Sequence, residues 1–104
     1  PRLKQIISDT PGFIYKVFTE SEIAEANRRG EKKYAFYATR FAAKEAIIKA
    51  LHNLEIEFSD LEIVQDSYGK TGAEYLRAIL TTIDLSISSD EDYAIACVIK
   101  AEST

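Results

Sequence analysis

Between Glu31 and Leu51 the chain reads EKKYAFYATRFAAKEAIIKAL, a stretch with no proline or glycine and rich in Ala, Lys, Glu and Ile. Phe36, Ala43, Ile47 and Ala50 recur at helical spacing as one apolar stripe, and Tyr37, Phe41, Ile48 and Leu51 form an adjoining one. A face this broad predicts a long central helix, the most buried element of the molecule. The rest of the fold must be built against it.

Upstream, residues 1–8 place Leu3, Ile6 and Ile7 on one side of a short helix, and Asp9-Thr10-Pro11-Gly12 is a turn. Phe13 to Phe18 is aromatic-rich and compatible with an extended piece or a turn of helix. Thr19-Glu20-Ser21-Glu22 is a capping box, opening a short helix that runs to about Arg28 and ends near Gly30. Downstream, Asp60 to Gln65 alternates as a strand closed by Asp66-Ser67-Tyr68-Gly69, and Thr71 to Leu80 reads as a short helix. Thr82 to Ser88 sends Ile83, Leu85 and Ile87 inward. Ser89-Asp90-Glu91 forms a hairpin loop, and Tyr93 to Ile99 is a strand buried on both faces. The sum is an α+β fold, a mostly antiparallel sheet packed with helices around a long central helix.

The 104 residues are the size of one domain, 1–104, with one core. No apolar run approaches the roughly 20 residues of a membrane helix, and no signal-peptide layout opens the chain. The single cysteine, Cys97, lies among small apolar residues and reads as core in a reducing compartment. His52 is the only histidine, which disfavours zinc, and it reads as a helix-end residue. There is no methionine and residue 1 is proline, so an initiator segment is expected upstream.

Charge is uneven. Residues 1–49 carry ten Lys/Arg against six Asp/Glu, whereas residues 50–104 carry three against eleven, within a net charge of −4. A basic half on an acidic chain fits an anionic partner met at one surface, a phosphate ligand or an acidic protein, and argues against nucleic acid. On the central helix Glu45 and Lys49 stand one turn apart on one face. Taken alone they are an i,i+4 ion pair worth about 0.3–0.5 kcal/mol, and Arg40 and Lys44 are solvated neighbours.

The string Arg40-Phe41-Ala42-Ala43-Lys44-Glu45-Ala46, with Lys49-Ala50-Leu51 after it, resembles the signature of the 4′-phosphopantetheinyl transferases of the holo-acyl-carrier-protein synthase type. Phe18-Thr19-Glu20-Ser21-Glu22, Asp60-Leu61-Glu62-Ile63 with Gly69-Lys70, and Leu85-Ser86-Ile87-Ser88 with Asp92-Tyr93-Ala94 resemble further blocks of that family, in its order. The resemblance implies the family's fold and its reaction: the phosphopantetheine arm of coenzyme A moves to a serine of an acyl carrier protein, in fatty-acid or polyketide synthesis.

It further implies Mg²⁺, with Glu45 as metal ligand and Glu45 and Lys49 as the catalytic residues. Arg40, Lys44, Lys49, Lys70 and Ser89 are implied as contacts of the coenzyme, Ser89 standing where the family has a histidine. Arg2 and Lys4 are implied on the first helix, docking the acidic carrier. The family also implies a cytoplasmic homotrimer with active sites between subunits. Its other metal carboxylate lies on an opening strand that would precede Pro1. The rival from another class is a non-catalytic or degenerate α+β module that binds an acidic protein or a nucleotide.

Overall fold

A computed structural model describes residues 2–51, 55–76, 78–81, 83–89 and 94–100. His52, Asp90, Glu91 and Tyr93 lie outside these residues, as does the side chain of Cys97. The N-terminal half is helical: α1 (Arg2–Asp9), α2 (Phe13–Val17), α3 (Glu20–Arg28), a 3₁₀ turn (Gly30–Lys32) and α4 (Lys33–Leu51). The described residues of the second half hold a 3₁₀ turn (Phe58–Asp60) and five strands: β1 (Leu61–Gln65), β2 (Thr71–Tyr75), β3 (Ala78–Ile79), β4 (Ile83–Ser89) and β5 (Ala94–Lys100). Among the described residues every pairing is antiparallel. One sheet has the order β1-β2-β3 and the other is the β4-β5 hairpin.

The central helix forms where the apolar stripes place it, and it divides the core in two. Its C-terminal half sends Ala43 and Ile47 onto Ile56, Leu61, Ile63, Ala73 and Leu85 from the sheets. Its N-terminal half sends Phe36 and Tyr37 onto Val17, Phe18 and Ala26 from the preceding helices. Phe13–Val17 resolves as helix with Phe18 extended at its end, and in α1 Leu3 and Ile7 pack inward while Ile6 stays exposed. The capping box forms in both directions: Thr19 Oγ1 accepts from Glu22 N at 3.2 Å, and Glu22 Oε1 accepts from Thr19 N at 2.9 Å.

The helix expected over Thr71–Leu80 is not formed; those residues make β2 and β3. Gly72 costs a helix interior about 1 kcal/mol relative to alanine, and so short an isolated helix is marginal in any case. Strand pairing offers more. β2 pairs with β1 residue for residue, from Leu61 with Tyr75 to Gln65 with Thr71, and buries Ala73 opposite Ile63. The turn between them is the one the sequence signals, with Asp66 Oδ1 accepting from Tyr68 N and Lys70 N at 2.9 Å each. Leu76, at a φ of 51°, then reverses the chain into β3. Ser89 extends β4 by pairing with Ala94, one residue further than the expected loop start.

Candidate functional site

Four of the expected site residues sit on α4, and the structure separates them. At about 100° per residue, Glu45 and Lys49 share one face, roughly 40° apart. Glu45 is half-buried and Lys49 exposed. The i,i+4 ion pair that their spacing allows is not made. Among the described residues neither side chain has an ion pair or hydrogen bond. A carboxylate and an ammonium, both without protein partners, therefore stand side by side, able to engage a bound group.

Lys44 corrects the sequence reading. It was expected to reach phosphate, but it is completely buried. Its Nζ donates to Glu22 Oε1 at 2.6 Å, to Val17 O at 2.7 Å and to Phe58 O at 3.0 Å. All three ammonium protons are thereby taken. Burial holds the amine below the ordinary lysine range, while the Glu22 carboxylate pulls it back up.

Arg40 lies roughly 140° from Glu45 around the helix, on a different face. Its guanidinium sits 4.2 Å from the centre of the Phe36 ring and donates to Thr39 Oγ1 at 3.0 Å. Its Nε is buried with no protein acceptor. Burial, and then the neighbouring Arg29, lower its affinity for a proton. Arg29, Lys32 and Arg40 together line a cavity of about 310 Å³, with Gln65, Thr71 and Ile87 on the opposite side. Arg29, whose Nε is paired with Glu25 at 3.0 Å, Lys32 and Arg40, with its orphaned N–H, give this cavity a positive lining suited to a bound anion.

Sequence reasoning did not single out Arg29 and Lys32 as site residues. The spacing alone could not have found them: Arg29, Lys32, Phe36 and Arg40 recur at intervals of three and four, but the 3₁₀ turn at Gly30–Lys32 separates the first two from α4.

A larger cleft, of about 590 Å³, is lined by Glu20, Asp60, Glu62 and Glu74 with Thr19, Ser21, Ser59 and Leu76. Four carboxylates repel a polyanion, so size does not decide which cavity takes a phosphate ligand; charge does. Among the described residues no three His, Cys, Asp or Glu side chains are grouped so as to hold a metal ion. Glu45 could therefore supply one carboxylate to a hard cation, the remaining ligands being phosphate oxygens and water. Mg²⁺ accepts such a set.

The other expected residues are scattered. Lys70 is exposed just before β2. Ser89 ends β4, its side chain outside the description, and the side chain of Arg2 is likewise outside it. Lys4 is exposed on α1 with its Nζ 5.2 Å from the centre of the Tyr34 ring, and Lys33 Nζ approaches the same ring at 5.2 Å. α1 thus carries its positive charge next to the start of α4, and the two helices form one basic ridge.

A family model described as the 4′-phosphopantetheinyl transferase superfamily matches residues 1–98. The chain is 41% identical over 100 residues to the holo-[acyl-carrier-protein] synthase of Paramagnetospirillum magneticum, covering 84% of this chain and 76% of that one. It is 35% identical over 103 residues to the enzyme of the same name from Wolbachia pipientis, covering 95% and 84%. Its fold is similar to the crystal structure of a holo-(acyl-carrier-protein) synthase from Bacillus anthracis in complex with CoA (3′,5′-ADP). There the TM-score is 0.78 at 30% identity, over 97% of this chain and 88% of that one.

Proposed function

The chain belongs to the 4′-phosphopantetheinyl transferase superfamily, and we propose that Glu45 and Lys49 are the groups with which it works. It is an enzyme of the holo-[acyl-carrier-protein] synthase type, transferring phosphopantetheine from coenzyme A to apo-acyl carrier protein. The carrier serine oxygen forms a bond to the phosphorus that bears the pantetheine arm. The bond from that phosphorus to the bridging oxygen breaks, its electron pair leaves with adenosine 3′,5′-bisphosphate, and the serine proton passes to a base.

The observation that carries the site assignment is the pair of charges on one face of α4, one turn apart, that have no partner among the described residues. Glu45, with the coenzyme's pyrophosphate oxygens, would hold Mg²⁺, which when bound neutralises charge developing on the transferred group. Lys49 faces the same phosphates as a point charge, without a competing protein carboxylate. Arg29, Lys32 and Arg40 hold the nucleotide's remaining phosphate in their cavity, and Lys70 and Ser89 are further coenzyme contacts in this reading.

The helix geometry also supports an oligomer. Arg40 and Glu45 face different sides of α4, so one chain presents the anion cavity and the catalytic carboxylate in different directions. A homotrimer, with each active site between two subunits, lets one copy's cavity and its neighbour's Glu45 meet a single coenzyme. The ridge of Lys4 and Lys33 docks the acidic carrier, with Arg2 as a further docking residue of the same helix as Lys4. In this reading the protein works as one domain in the cytoplasm, in fatty-acid or polyketide biosynthesis.

The test is intact-mass analysis of an apo-acyl carrier protein incubated with the full-length protein, coenzyme A and Mg²⁺. A phosphopantetheine adduct is expected. A folded, full-length sample that leaves the carrier unmodified overturns the reading and favours a binding module.

A further inference from the structure

If Glu45 acts on the pyrophosphate, as the transferase reading holds, α4 must be fixed in rotation about its own axis, because a turn of the helix swings the carboxylate away. The apolar contacts of Phe36, Tyr37, Ala43 and Ile47 hold α4 in place but are not directional. Among the described residues, every side-chain hydrogen bond that leaves α4 for another element starts at Lys44 Nζ. Its three acceptors come from the end of α2, from α3 and from the 3₁₀ turn before β1. Glu22 extends the tie, since its Oε2 accepts from Ile63 N in β1 at 3.0 Å while its Oε1 also caps α3. An ammonium held by three acceptors on three elements ties the helix against rotation, and Glu45 is the next residue.

We propose that the buried Lys44–Glu22 pair is a positioning device for the catalytic carboxylate of Glu45. Lys44 touches no substrate. It acts by setting the angle at which its neighbour is presented, and misplacement of a reacting group by about 1 Å costs on the order of 100-fold in rate. A pair that served stability alone would behave differently. Buried ion pairs are often replaceable by apolar groups with no loss of stability, so a structural role leaves turnover of the folded variant unchanged.

The experiment measures kcat and KM for coenzyme A with an apo-carrier protein. It uses full-length Lys44→Met, Glu22→Gln and the double variant, each well below its unfolding midpoint, in both the native and the Glu45→Gln background. Lys44→Met is expected to lower kcat about 10- to 100-fold with KM for coenzyme A nearly unchanged. In the Glu45→Gln background it is expected to cause no further fall, because the group it positions is already lost.

A folded Lys44→Met with native kcat overturns the proposal, as does an equal fall in both backgrounds. A raised KM with unchanged kcat also overturns it, by placing Lys44 on the substrate. If Lys44→Met does not fold, Glu22→Gln decides by the same criteria, with a smaller expected fall. An inactive wild type removes the transferase reading itself, and is distinguished by failing before any variant is compared.

Discussion

Glu22→Ala is the substitution whose cost the structure defines most closely. It removes the acceptor of Lys44 Nζ at 2.6 Å, of Thr19 N at 2.9 Å and of Ile63 N at 3.0 Å. Lys44 is then left charged in a site with no solvent access, keeping only the carbonyls of Val17 and Phe58. Removing one partner of a buried pair costs about 3–5 kcal/mol, against a total of about 5–15 kcal/mol for a domain. Urea unfolding at fixed protein concentration reads this as a lower midpoint with an unchanged slope.

The pH dependence is a sharper check. In the native protein burial lowers the Lys44 pKa and Glu22 opposes it. Without Glu22 the lowering grows, while the unfolded chain still titrates near the ordinary lysine value of about 10.4. Between those two values the unfolded state binds more protons than the folded state, so stability rises with pH. The deficit of Glu22→Ala relative to wild type therefore shrinks from pH 7 to pH 9.5, as the buried amine sheds its charge. A loss below about 1 kcal/mol, or a deficit that widens as the pH is raised, would refute the view that an unpaired buried cation sets the cost.

Three further outcomes are expected. Glu45→Gln should cut kcat by at least about 100-fold while leaving the unfolding midpoint within error, since its carboxylate holds no partner among the described residues; native activity would make it a spectator. Arg40→Gln should raise KM about tenfold or more for coenzyme A but little for its 3′-dephospho form, the worth of one charged hydrogen bond; equal effects on both substrates would move that phosphate out of the cavity. Glu74→Lys places an opposite charge across from Glu62 in the β1–β2 pair. It should stabilise the protein by about 0.2–1 kcal/mol in urea melts without changing turnover, and a loss of stability would refute the like-charge argument.

Much of the fold was legible because its elements carry local signals. α4 is written in two stripes, α3 in a capping box, and the β1–β2 turn in Asp66 and Gly69. The segment Thr71–Leu80 was not, because its strand character lies in what it pairs with. Ala73 and Tyr75 become strand residues only against Ile63 and Leu61. Within the site, the motif nominates Glu45 and Lys49, and their lack of partners among the described residues needed the structure. The anion cavity needed the turn between α3 and α4 to bring Arg29 and Lys32 beside Arg40.

Lys44 was misread although the spacing already placed it inside. Tyr37, Phe41, Ile48 and Leu51 leave one gap in an alternation of four and three, and position 44 fills it. Phe36, Ala43, Ile47 and Ala50 leave a gap in the same way at Arg40. A cation in an apolar stripe must find acceptors within the fold or retain an unsatisfied donor. Lys44 finds three acceptors and is consumed by the fold; Arg40 finds one hydroxyl and a ring, and keeps a buried N–H without a partner. That contrast separates the two cations of one motif. The satisfied one holds the helix, and the unsatisfied one faces a cavity in which an anion would complete it.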